Sequence, residues 1–248
     1  MEAQPRRPGW RVIVLAPVVA AMLGAIGACS LGGSAEAVPD DLSSRSVAAD
    51  DFPVPGATRI PPPVVADALA DLVGSGTQVA PPDCAPQHLP ADGAVMFQVL
   101  VDDATPTPPS TPTQPPSNSP STPAPATARA ASFTSAVAHA PQALDAELDR
   151  VRRCPTVTTG APPATSRLRS EIGTAPAGPR GVTTGAVRTV AETGPSAEPL
   201  AVVTETLMAQ RDGVRVYAQY RTPGTEIGDA ARAQLTQLFG KAVDAAFG

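Results

Sequence analysis

Residues 200–211 and 214–221 flank the dipeptide Asp212-Gly213, and this constrains the fold more than any other feature of the chain. Asp-Gly between two alternating runs favours a two-residue turn in which both positions take positive φ, so the runs must pair as an antiparallel ribbon. With Arg211 opposite Val214, Leu207 faces Ala218, Ala209 faces Val216 and Glu205 faces Tyr220, which makes this the core side. The other side sets Thr204, Thr206, Met208 and Gln210 against Arg215, Tyr217, Gln219 and Arg221, a surface polar enough to be left to water. A helix over 226–247 follows, and its stripe of Ile227, Ala231, Leu235, Leu238, Ala242 and Ala245 suits the core side of the ribbon.

The other elements fit the same plan. Residues 61–73 open on prolines and place Val65, Leu69 and Leu72 on one stripe, with Gly74 suited to a left-handed closing position. Residues 94–101 alternate with Val95, Phe97, Val99 and Val101 on one face, and 132–139 supply a partner strand through Phe133 and Val137. Between them, residues 105–127 hold nine prolines, ten serines or threonines and no charge, a composition that cannot bury enough surface to fold. A helix over 141–153 with Leu144, Leu148 and Val151 inward runs into Cys154, and 182–191 reads as a further strand. The expected class is α+β, a single domain whose antiparallel sheet carries helices on one face. The expected boundaries are a signal at 1–28, a disordered tether at 29–58 and a domain at 59–248, interrupted by a disordered insertion at 104–130 and a loop at 159–181.

The start of the chain addresses it to a membrane. Arg6, Arg7 and Arg11 precede an apolar run that ends in Ile26-Gly27-Ala28-Cys29. The run is short for a membrane span, and small residues before a cysteine are what a lipoprotein signal peptidase cuts at. Cys29 is then the first residue of the mature protein and carries its acyl chains, placing it on the extracytoplasmic face of the cell membrane. Arginine outnumbers lysine 17 to one, the bias of a GC-rich genome, so an actinobacterial envelope is the expected setting. Removal of the signal leaves 15 basic and 22 acidic residues (18 minus 3, 23 minus 1), which argues against nucleic acid as a partner.

Beyond Cys29 only Cys84 and Cys154 remain. Two thiols in an oxidising compartment most simply form one disulfide. The rival readings are a metal site, with Cys84 and His88 four residues apart, and a reactive thiol pair; the first lacks ligands and the second lacks a Cys-x-x-Cys spacing. The lipid-modified Cys29, a cysteine after a first helix, a hairpin with a helix running into a second cysteine, and a closing hairpin and helix resemble small mycobacterial lipoproteins. Those lipoproteins are related to the extracellular sensor domains of receptor serine/threonine kinases. The resemblance implies a non-catalytic sensor-type fold. It transfers no ligand site, because those domains carry more cysteines and an aromatic-rich cleft, whereas Trp10 is the one tryptophan here.

No motif specifies a reaction: there is no Gly-x-Ser-x-Gly elbow, no His-Glu-x-x-His and no phosphate-cradling glycine loop. His88 and His139 read as structural imidazoles, Asp102-Asp103 as a solvated strand end, and Lys241 as an ordinary helix lysine. The expectation is a binding or sensor-type lipoprotein for an envelope lipid, glycan or protein, with no catalytic residue, cofactor or metal. The first alternative is a structural lipoprotein that tethers envelope components, and the second an enzyme whose residues assemble only in three dimensions. If the ligand is anionic, Arg215, Tyr217 and Arg221 beside Met208 and Thr206 are the residues placed to hold it, two guanidinium groups around one ring.

Overall fold

The computed structural model describes residues 41–101, 130–162, 164–194 and 199–248. The signal at 1–28, Cys29 and the bulk of the insertion expected at 104–130, together with Asp102 and Asp103, lie outside them. Among the described residues, nine strands form one antiparallel sheet. In chain order these are β1 (Thr58–Arg59), β2 (Val79–Ala80), β3 (Val95–Val101), β4 (Ala131–His139), β5 (Thr156–Ala161), β6 (Ala164–Gly173), β7 (Thr183–Thr193), β8 (Leu200–Arg211) and β9 (Val214–Pro223). Their order across the sheet is β1-β3-β4-β9-β8-β7-β6-β5-β2. The helices are α1 (Pro62–Val73), α2 (Leu144–Arg153) and α3 (Asp229–Phe247).

The closing hairpin has the expected register: Arg211 pairs with Val214, Ala209 with Val216, Leu207 with Ala218 and Glu205 with Tyr220. Asp212 and Gly213 turn at φ 50° and 74°, the left-handed values that make glycine the natural second residue of this turn. β3 and β4 pair as read, with Val99 opposite Phe133 and Val95 opposite Val137. Gly74 closes α1 at φ 77°. In α2, Asp145 and Glu147 lie in the first turn and Arg150, Arg152 and Arg153 in the last, each sign at the favourable end of the helix dipole.

The class is α+β with an antiparallel sheet, but the helices are divided between its two faces. On one face α3 buries Leu235, Leu238, Phe239 and Val243 against Val99, Phe133, Val137, Leu207, Val216 and Tyr220. On the other, Val65 and Leu69 of α1 and Leu144 and Leu148 of α2 cover Met96, Ala136, Ala138, Met208 and Tyr217. Two apolar stripes could not share the area that α3 occupies, so they took the polar side of the ribbon. α2 comes close enough to β7 that a Cβ placed on Gly185 would lie 3.1 Å from the Leu148 methyls, which explains the missing side chain there.

Two expected boundaries are corrected. The tether read over 29–58 is ordered from residue 41, where Leu42, Val47 and Phe52 are buried in the α3 face and Leu42 N–H donates to Gly93 O at 3.0 Å. The loop read over 159–181 is largely the hairpin of β5 and β6, turned at Ala161 to Ala164. The helix stripe also drifts at its end: Ala246 and Phe247 are buried, whereas Ala245 faces outward.

Candidate functional site

The α1/α2 face holds a cleft built by strand periodicity. Residues two apart share a face of a strand, so each of five neighbouring strands contributes one pair. These are Val157 and Thr159 from β5, Leu168 and Ser170 from β6, Val187 and Thr189 from β7, Thr206 and Met208 from β8, and Arg215 and Tyr217 from β9. Leu72 and Val73 at the end of α1, the Glu147, Arg150 and Val151 flank of α2, and Pro86 and Gln87 form the walls. The enclosed room is about 100 Å³. That is somewhat below the ~150 Å³ of an engineered apolar cavity able to take a benzene.

Cys84 and Cys154, expected as a pair, are bridged, with Cα atoms 5.8 Å apart, and both line the cleft. The bridge joins the turn after β2 to the end of α2. Arg150 reinforces the junction: its Nη1 donates to Cys84 O at 3.0 Å, its Nε donates to Glu147 Oε2 at 3.0 Å, and its Nη2 pairs with Glu147 Oε1. Across the floor, Ser170 and Thr189 hydroxyls meet at 2.9 Å. Gln219 Nε2 reaches both Thr206 Oγ1 at 3.0 Å and Leu72 O at 3.2 Å, fixing α1 to the sheet.

Of the three residues proposed for an anion, the structure brings two together. Arg215 and Tyr217 are not open to water: they are 1% and 2% exposed, covered by the helices on this face. Arg215 Nη1 donates to Tyr217 Oη at 3.2 Å, Nε and Nη2 donate to Gln210 Oε1 at 2.9 and 2.7 Å, and Nη2 also donates to Gln142 O at 2.8 Å. Arg221 stands exposed farther along β9, opposite Ser132 and Thr204, and takes no part in the cleft. Met208 and Thr206 do line it. Glu147, Arg150, Ser170 and Thr189 escaped the sequence reading. The alternation of Ser166, Leu168, Ser170 and Ile172 with Arg167, Arg169 and Glu171 was the signal for a strand there.

Burial raises the Tyr217 phenol above its usual pKa of 10; the Arg215 charge and hydrogen bond pull it back, and the Glu147 carboxylate adds to the rise. The neutral phenol is thus favoured in the fold. Its contribution to stability is complete below the unfolded-state value near 10 and is lost as pH rises through the folded value. Above pH 10 the urea midpoint of the wild type should fall more steeply than that of Tyr217→Phe. Parallel slopes would mean that Tyr217 ionises as freely as it does in the unfolded chain.

His88 is exposed in the stretch after Cys84, and His139 ends β4 opposite Val214. Among the described residues, no three of His, Cys, Asp and Glu converge as a metal-binding group, and no helix is long and apolar enough to cross a membrane.

No protein-family model matches the chain, and no curated protein matches it. Two solved structures are similar to it. The X-ray structure of an uncharacterised protein of Mycobacterium smegmatis, the Rv0999 ortholog, has a TM-score of 0.39 at 13% identity over 77% of this chain and 85% of that one. The extracellular domain of PknH from Mycobacterium tuberculosis has a TM-score of 0.36 at 14% identity over 75% of this chain and 98% of that one.

Proposed function

We propose that this chain is a lipid-anchored, non-catalytic binding module of the cell envelope that takes a small ligand into the cleft beneath α1 and α2. The observation that supports the reading is the composition of that cleft. Aliphatic groups from the sheet and both helices surround a few converging polar ones, as in sites that bury most of a small ligand and orient it through a handful of hydrogen bonds. The helices and the disulfide hold the walls, so the site is largely formed before a ligand arrives and little ordering opposes binding.

The anchor and the cleft are tested separately. Cys29→Ala should move the protein from the detergent phase to the aqueous phase while its melting curve stays unchanged; retention in detergent would assign anchoring to the apolar run itself. For the cleft, native mass spectrometry of protein purified from its own envelope should show a small bound mass. Thr189→Trp, which fills the floor between Val187 and Ser170, should remove that mass without unfolding the domain. A bare protein mass, or a mass that survives Thr189→Trp, would sink the binding reading.

A further inference from the structure

Resting on that reading, we propose that the ligand of the cleft carries an anionic oxygen group, a carboxylate or phosphate monoester, that accepts from both Arg215 and Tyr217, with a short apolar portion against Leu168, Val187 and Met208. The argument starts from an uncompensated charge. Arg215 is 1% exposed, and every one of its hydrogen-bond partners is neutral: a glutamine amide, a backbone carbonyl and a phenol. Among the described residues no carboxylate lies within ion-pair distance of it; the carboxylate that also lines the cleft, Glu147, is engaged by Arg150. The charged groups of the lining are two guanidinium groups and one carboxylate, which leaves one positive charge. A guanidinium taken out of water without a counter-charge costs several kcal/mol, so buried charges are ordinarily paired.

Donor geometry narrows the ligand. Four N–H···O contacts to protein are made by Arg215, two of them from Nη2, so that one hydrogen on Nη1 is left over. Tyr217 Oη accepts from that same Nη1 at 3.2 Å, and its own hydrogen has no protein acceptor among the described residues. Two donors of adjacent groups, both lining the cleft, therefore remain to be satisfied. Two oxygens on one carbon or phosphorus match them, and charge-assisted bonds of this kind are about twice as strong as neutral ones. An uncharged hydroxyl could use one of the donors and leave the charge unanswered. The room, about 100 Å³, limits the enclosed part to the head and a few carbons.

The test uses the full-length protein in a neutral maltoside detergent and three probes of equal length: butyrate, butyl phosphate and butanol. At least one of the two anions should bind ten times or more tighter than butanol. Tyr217→Phe, whose folding is checked by its melting curve, should remove most of that difference, weakening the anion far more than it weakens butanol. Arg215→Lys keeps a charge but loses the fork, and should weaken the anion severalfold. Equal binding of all three probes, binding of none, or indifference to Tyr217→Phe would overturn the anionic assignment. The native mass adduct is read independently, so a bound mass that Thr189→Trp removes would leave the cleft standing with a different ligand. The mass also distinguishes the source, a membrane lipid head or a free organic acid or phosphate.

Discussion

Replacing both bridging cysteines, Cys84→Ala with Cys154→Ala, should lower the stability of the domain by about 4 kcal/mol. The bridge closes a loop of 70 residues that contains β3, β4 and α2. Cutting it returns to the unfolded chain the freedom of that loop, which in the chain-entropy model amounts to about 4 kcal/mol. A domain of this size has only about 5–15 kcal/mol in total. The melting temperature should fall by roughly 8–16 °C at the ~2–4 °C per kcal/mol typical of 150–250 residues. Because both cysteines line the cleft, and Arg150 donates to Cys84 O, affinity in the cleft should fall with stability. Urea unfolding of the double variant beside wild type decides the matter through the midpoint. A loss below 1 kcal/mol would mean that the reduced, unfolded chain already holds α2 near Cys84 and gains little freedom when the bridge is cut.

Elements whose signal is local were legible in the sequence. The β8/β9 register followed from Asp212-Gly213 and strict alternation, and the end of α1 from a glycine that could adopt φ 77°. Three features were decided by contacts that a single stretch of chain does not display. The β5/β6 hairpin has few large apolar residues because only one of its faces is covered, and its turn prolines imitate a loop. The polar side of the ribbon has the mixed composition of a solvated face, yet α1 and α2 lie on it. That outcome was open to argument from three apolar helix stripes and two sheet faces, since Leu235, Leu238 and Ala242 already claim one face. Burial of Arg215 then required the Gln210 side chain and the Gln142 carbonyl to accept from it, one from the neighbouring strand and one from the lead-in to α2. For the candidate site, strand alternation put Arg215 and Tyr217 together, and nothing in that pattern could tell a solvated face from a covered one. Arg221, on the same face, is left outside by its position along the strand, beyond the reach of the helices.

Leu42→Ala should cost about 3 kcal/mol, whereas a disordered tether would leave the same substitution within ~0.5 kcal/mol. Leu42 is 1% exposed and shares the α3 face with Val47, Phe52 and Phe247. Two polar contacts tie the strap, residues 41–57, to the rest of the domain, and one more caps its first turn. Asp41 Oδ1 accepts from Ser43 N–H at 2.9 Å, Leu42 N–H donates to Gly93 O at 3.0 Å, and Lys241 Nζ donates to Asp51 O at 2.9 Å. Phe52 lies with its ring centroid 6.4 Å from that of Phe97, so the strap also covers the β3 side of the sheet. Truncating a fully buried leucine removes its transfer free energy and leaves a cavity, together ~2–5 kcal/mol. The strap sets an upper limit on that loss. Once the cost exceeds what holds residues 41–57 down, the segment opens locally instead, and hydrogen exchange at the Leu42 amide rises before the sheet loses protection. Urea unfolding gives the first number and exchange the second. A loss near 3 kcal/mol with Leu42 still protected makes the strap part of the cooperative core. A small loss with fast exchange makes it a separately opening flap, and a small loss with no change in exchange would contradict the burial of Leu42.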